Sequence, residues 1–347
     1  MFIIDSYILA VVFCFITMLC WGSWGNTQKL AGKTWRYELF YWDYVIGMVL
    51  FSLILGFTMG SIGEPVGDRS LSFIDNLQDA DMQSVAWVVL GGVIFNLSNI
   101  LLSASTSLAG MSVAFPLGCG LALVLGVINT YLTEAKGNPW LLGLGVLLIV
   151  IAVVCNGLAA GRLSKKGESN QNSKKGVILA IIAGILMSTF YAFVVKGMAK
   201  LDDLTSTDPK QFEYALGKLT PYSAIFIFSV GVLISNIFFN TFVMKKPFVG
   251  EPVSYKQYFK GRFSTHLVGI LGGAIWCLGT AFSYIAAGKA GAAVSYALGQ
   301  GAPMIAAFWG VFIWKEFKGA DKKTNQLLAL MFALFIGGLA TIVIAGN

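Results

Sequence analysis

Residues 91–120 read GGVIFNLSNILLSASTSLAGMSVAFPLGCG, and residues 272–301 read GGAIWCLGTAFSYIAAGKAGAAVSYALGQG. The two stretches belong to blocks, 91–134 and 272–315, that align without a gap at an offset of 181. Ten positions are identical, five of them glycines: Gly91/Gly272, Gly92/Gly273, Gly110/Gly291, Gly118/Gly299 and Gly120/Gly301. Just past the blocks, Glu134-Ala135-Lys136-Gly137 meets Glu316-Phe317-Lys318-Gly319 after a one-residue shift. Apolar segments share Leu and Val by composition alone, but glycines in register mark a duplicated unit.

The unit sits in a chain built for lipid. Of 347 residues, 56% are hydrophobic and only 12% charged, and the mean hydropathy is +0.75. A bilayer-spanning helix takes about 20 apolar residues. Ten such stretches are expected: 4–26, 40–62, 84–106, 110–132, 139–161, 176–198, 219–243, 266–288, 291–314 and 325–345. The first lacks a basic flank and a small-residue cleavage site, so it is expected to be a retained span rather than a signal peptide.

The net charge of +7 sorts by loop. Seventeen of the 24 Lys and Arg residues fall between spans 1–2, 5–6, 7–8 and 9–10, whereas 64–81 carries five acidic residues against Arg69 alone. The positive-inside rule then puts those basic loops in the cytoplasm and both termini outside. The expected localisation is a multi-pass membrane protein, in the cytoplasmic membrane if the source is bacterial. The charge is a topology signal and not a nucleic-acid footprint.

Five spans per half is an odd number, so the second half must enter the membrane from the opposite side. The expected fold is all-α and polytopic: about ten transmembrane helices in two inverted five-helix repeats. The repeats are 1–161 and 176–347, joined by a cytoplasmic linker at 162–175 (RLSKKGESNQNSKK). Segment 251–263 alternates basic and aromatic residues, which suits an interfacial piece or a solvated loop. All five cysteines fall within apolar spans without metal-ligand spacing and read as packing residues.

Four groups carry possible transport chemistry. On span 3, Asn96, Asn99, Ser103 and Thr106 share one helical face, with Thr280 and Tyr284 at matching positions on span 8. They line a cavity or bond helix to helix. Second, Pro116, Gly118 and Gly120 on span 4 and Gly299, Gly301 and Pro303 on span 9 are expected helix breaks. Glycine- and proline-interrupted segments at corresponding places in two halves point to a transporter site. Gln300 offers donors and an acceptor there, and Tyr296 a stacking face. Third, Trp21, Trp24 and Gln28 share a face at the end of span 1, as a substrate site or an interfacial Trp belt. Finally, Asp43 lies about one turn inside span 2, a candidate for proton coupling against the alternative of interfacial snorkelling.

Gly22-Ser23-Trp24, Asp43-Tyr44-x-Ile46 and Gly60-Ser61-Ile62-Gly63 together resemble the opening of ureide permeases. So do Gly91-Gly92-Val93 followed by Asn99, Gly110-x-Ser112-Val113 and Gly126-x-x-Asn129-x-Tyr131. The resemblance implies the drug/metabolite transporter superfamily, with ten helices in two inverted repeats. Its plant members look like proton-coupled importers of allantoin, uracil and related heterocycles. They carry a long central loop with a Walker A-like stretch, which 162–175 lacks. Bacterial sugar-uptake proteins of the same superfamily share the architecture.

The expected function is therefore secondary import of a small polar heterocycle, such as a ureide or nucleobase, by proton symport. The partners would be that substrate, the bilayer and a coupling proton, with no nucleic acid and an oligomeric state left open. A sugar importer or a metabolite or drug exporter is the alternative. An intramembrane enzyme is disfavoured: the sole histidine is His266, and His-Glu-x-x-His, Gly-x-Ser-x-Gly and paired intramembrane aspartates are missing. No cofactor or metal is expected.

Overall fold

A computed structural model describes residues 1–32, 35–62, 72–109, 111–133, 135–163, 170–200, 209–248 and 250–346. Lys33, Gly63, Gly110, Glu134 and the centre of the linker lie outside the described residues. The described chain is helical, with one isolated parallel bridge between Met198 and Leu219.

The first half contains α1 (Tyr7–Ser23), α2 (Gly25–Ala31), α3 (Tyr37–Phe57), α4 (Phe73–Asp79), α5 (Met82–Ala109), α6 (Met111–Thr133) and α7 (Pro139–Leu163). The second contains α8 (Asn170–Gly197), α9 (Pro209–Leu216), α10 (Pro221–Lys245), α11 (Tyr255–Phe259), α12 (Phe263–Ala290), α13 (Ala292–Gly299), α14 (Ala302–Phe308), a π-helical turn (Trp309–Ile313) and α15 (Lys322–Gly346). Among the described residues, nine helical stretches are long and apolar enough to cross a membrane, and Leu117–Thr133 within α6 is a shorter tenth. The linker expected over 162–175 is helical at both ends, since α7 runs to Leu163 and α8 starts at Asn170.

Local sequence sets several starts and stops. Thr220 caps α10, its side chain accepting from the Ser223 N–H, with Pro221 in the first turn. Ser254 and Gln257 form a reciprocal capping box on α11. Spans 8 and 9 meet without a loop: Gly291 stands between α12 and α13 at φ 86°, a conformation L side chains resist.

The helices pack where glycine lets backbones touch, as expected when lipid supplies no hydrophobic drive between them. At Gly273, α12 crosses α3 against the Tyr44 carbonyl, and Gly47 of α3 faces the Ile270 carbonyl of α12. At Gly92, α5 crosses α10 against the Phe228 carbonyl, and Gly231 of α10 faces the Val89 carbonyl of α5. Around these two crossings, α1 packs on α12, α8 on α5 and α6, and α7 on α15.

One expected break is absent. α6 runs from Met111 to Thr133 without interruption, so Pro116, Gly118 and Gly120 do not break span 4. The glycine at 118 serves approach instead: a Cβ there would meet Leu102, and Gly184 of α8 sits on the Gly118 carbonyl. The side chain of Pro116 lies outside the described set.

Candidate substrate and proton site

At the centre, Trp276 of α12 is ringed by aromatic side chains from four other helices. Its ring centroid lies 4.4 Å from Phe95 (α5), 5.9 Å from Phe228 (α10), 6.2 Å from Trp21 (α1) and 6.4 Å from Tyr44 (α3). Trp24 leans on Tyr44 at 4.9 Å. Towards α8, Tyr191 meets Tyr284 at 5.5 Å and Tyr296 at 5.1 Å.

Polar atoms border this aromatic core, and several have no hydrogen-bond partner among the described residues. The hydroxyls of Tyr44 and Tyr284, Oδ1 of Asn96 and both amide atoms of Asn236 are buried and unbonded. An unmade hydrogen bond of this kind costs about 1–3 kcal/mol. A polar ligand arriving here would find donors and acceptors already stripped of water.

The structure divides the other expected site residues. Asn96 donates to Ser235 of α10 at 3.0 Å, and Asn99 donates to the Tyr41 hydroxyl of α3 at 3.1 Å. Ser103 bonds back to the Asn99 carbonyl, and the Thr106 side chain lies outside the described set. Thr280 accepts from the Trp21 indole at 3.0 Å. Thus the polar face of α5 binds α10 and α3, while that of α12 turns to α1 and α8; Asn96, Asn99, Thr280 and Tyr284 do not line one cavity. The reason is that each amide finds a nearer partner on a crossing helix. Tyr284 also borders a cavity of about 30 Å³ beneath Ile3, Ile4 and Pro221, roughly the space of one water.

Span 9 does break. The helix stops at Gly299, Gln300 and Gly301 carry the chain across, and α14 restarts at Ala302 with Pro303 in its first turn. Tyr296 is fully buried and donates to the Ala122 carbonyl at 3.1 Å, one turn before the half-buried Gln300. Span 1 is interrupted at Trp24, between α1 and α2. The two interrupted spans are clamped together: Trp309 donates to Ser23 at 2.9 Å, Trp314 donates to Asn26 at 2.7 Å, and Lys29 pairs with Glu316. Gln28 lies in α2, half-buried, beyond the aromatic core.

Asp43 is 1% exposed and accepts three hydrogen bonds. Tyr258 of α11 donates at 2.7 Å, Nδ1 of His266 of α12 lies at 2.7 Å, and the Trp35 indole donates at 3.1 Å. Burial and the Asp43 carboxylate push the Tyr258 phenol well above its ordinary value, so it stays a donor. The snorkelling alternative fails for a side chain this enclosed.

The sequence profile of the ureide permease family matches residues 40–174 and 161–345. The chain belongs to the ureide permease family. Ureide permease 2 of Arabidopsis thaliana is 25% identical over 99% of this chain and 98% of its own length. Ureide permease 1 of the same plant is 24% identical over 99% and 98%. A putative sugar uptake protein of Lactiplantibacillus plantarum is 20% identical over 96% and 98%. One crystallised chain shares the fold at a TM-score of 0.55 and 15% identity, covering 97% of this chain and 96% of that one. As a ureide permease family member with this many apolar helices, the chain is a multi-pass membrane transporter of a small molecule and not an enzyme.

Sequence pattern alone passed over six residues of this permease's interior: Trp35, Tyr44, Asn236, Tyr258, His266 and Trp276. Asn236 and Asn240 stand four apart in an apolar helix, the same signal that singled out Asn96 and Asn99. His266 is the chain's one histidine, at the mouth of a span. Trp276 occupies the position of Phe95 in the other block, which gave it no polarity to notice.

Proposed function

We propose that this permease imports a small planar heterocycle, a ureide or nucleobase, by proton symport. The observation that carries it is the aromatic core bordered by unpaired polar groups. Stacking faces grip a flat ring, while free hydroxyl and amide groups suit the donor–acceptor edge of a cyclic urea or imide. The printed names of the plant relatives agree with this substrate class. Uptake of labelled uracil, allantoin and hexoses into vesicles, with and without a pH gradient, tests it. Accumulation of uracil or allantoin with an acidic exterior is the expected result, whereas hexose uptake alone would favour the bacterial sugar relatives' reading.

Packing supports two inverted repeats, 1–161 and 176–347. Gly92 with Gly273, Phe95 with Trp276 and Val89 with Ile270 are all 181 residues apart, and Tyr44 with Phe228 and Gly47 with Gly231 are 184 apart. Those same pairs build the two glycine crossings and the aromatic core. The α11 end carries the basic loops and is assigned to the cytoplasm, with both termini outside. Cysteines placed at exposed Asp79 and Lys260 should differ: an impermeant maleimide added outside labels position 79 and spares 260. The reverse pattern inverts the topology.

Substrate contact is assigned to Trp21, Trp24, Thr280, Tyr284, Tyr296 and Gln300. Gln300 stands at the break, between Gly299 and Gly301, where an interrupted span points to a transporter site. Losing one hydrogen bond to a polar ligand costs on the order of 1–3 kcal/mol. Gln300→Ala should then raise the half-saturation concentration roughly 5- to 150-fold at about 1.4 kcal/mol per decade. Unchanged affinity in the folded variant removes Gln300 from the site.

A further inference from the structure

Three separate pieces of chain converge on Asp43 at the α11 end: Trp35 from the segment between α2 and α3, Tyr258 from α11 and His266 from the first turn of α12. Their rings enclose the carboxylate. His266 lies edge-on to Trp35 at 5.2 Å and to Tyr258 at 4.8 Å, and Trp35 leans on Tyr258 at 6.1 Å. Gly261 completes the wall, since a Cβ there would lie 2.5 Å from the Trp35 ring and 2.6 Å from His266 Nε2. Of the bonded pair, the histidine side chain is 19% exposed and the aspartate side chain 1%. The exposed edge of the pair is therefore the imidazole.

We infer that Asp43 and His266 form one proton-binding site, filled and emptied through the imidazole, whose occupancy sets whether the α11 end is closed. This rests on the proton-symport reading above. An ionised carboxylate only accepts hydrogen bonds, and the Trp35 indole only donates, so the three bonds fit a charged Asp43. Nδ1 donates across the 2.7 Å contact in the neutral Nδ1–H tautomer and in imidazolium alike, so the loaded proton is the one that makes the ring an imidazolium. With one proton loaded, imidazolium and carboxylate are neutral together and tolerate burial. Emptied, the pair leaves one uncompensated negative charge in a dry site, which favours admitting water and parting the three pieces that meet there. Closure is thus tied to the loaded state and opening to proton loss.

The surrounding groups leave this titration to the pair. Among the described residues, Tyr258 and His266 are the titratable groups acting on Asp43. On α3, Glu38 is paired with Arg36; on α11, Lys256 and Lys260 are exposed; on α12, Arg262 is exposed one turn before His266.

Because His266 is the only histidine, isotope-labelled histidine gives a single imidazole signal in the intact chain. Removing the facing charge in Asp43→Asn should weaken the proton affinity of His266 about tenfold or more, moving its midpoint down by about one pH unit or more. An unmoved midpoint overturns the shared site. In liposomes, His266→Gln should lose pH-driven accumulation of labelled uracil or allantoin while retaining counterflow at equal pH. Accumulation that still follows the gradient in that variant overturns the coupling role. If the unaltered protein ignores the gradient, the symport reading fails and the coupling role with it. The histidine titration, which involves no transport, tells that failure apart from a failure of the pairing.

Discussion

Asp43→Asn abolishes pH-driven accumulation and leaves counterflow of labelled uracil or allantoin intact: this is the expected result of neutralising the buried carboxylate. The introduced amide keeps an oxygen for Tyr258 or His266 but carries no charge, so it mimics a permanently protonated aspartate. A site that cannot release its proton cannot draw on the gradient, and accumulation should fall to the equilibrium ratio. Binding and exchange do not need that release. The same amide also turns an N–H₂ towards groups that are themselves donors, so the contact with Trp35 or His266 should loosen. Accumulation that survives and still responds to pH would place the proton elsewhere. Accumulation following Na⁺ instead would make the protein a different kind of porter.

Gly273→Val should remove folded protein altogether. A Cβ at this position falls far inside van der Waals contact with the Tyr44 carbonyl oxygen, and the backbone nitrogen of Met48 lies 2.8 Å away. Both are backbone atoms in the middle of α3, so no side chain can move aside. Overpacking of flexible side chains costs about 1–3 kcal/mol, and a clash between two helix backbones belongs to the rarer class above about 4 kcal/mol. Loss of the monodisperse peak in detergent is the check. Gly143→Ala is the matched control. Nothing lies within 4 Å of its Cβ, and alanine should stabilise that helix by up to about 1 kcal/mol. A normally folded Gly273→Val protein would show that α3 and α12 do not touch there.

Hydropathy and charge spacing made the helices legible, because in lipid every span must satisfy its own backbone and so must be long and apolar. The glycine register marked one meeting point in each half, since Gly92 and Gly273 match across the halves and each lies at a crossing. Broken helices were legible only where glycine and proline combine with a second interruption. At Gly299-Gln300-Gly301 they do, whereas Gly118 and Gly120 lie within an unbroken α6, where Gly118 packs closely on Leu102 and α8. Side-chain partners were not legible. The face shared by Asn96 and Asn99 is plain in the spacing, but whether it meets Ser235 and Tyr41 or an open cavity depends on helix crossings remote in sequence. Asp43 was visible through its scarcity. Its company was not, because Tyr258 and His266 come from more than 200 positions away and from a basic segment that reads as surface.

The two glycine crossings also fix what kind of motion comes easily. The backbones of α3 and α12, and of α5 and α10, approach most closely at these glycines, so each pair pivots most easily there, as blades do about a fulcrum. Parting the blades at one end brings them together at the other. On the inverted-repeat reading proposed above, α3 against α12 and α10 against α5 are one joint met from opposite directions, a double hinge. A lever of that kind would seal the interior from one face as it is reached from the other.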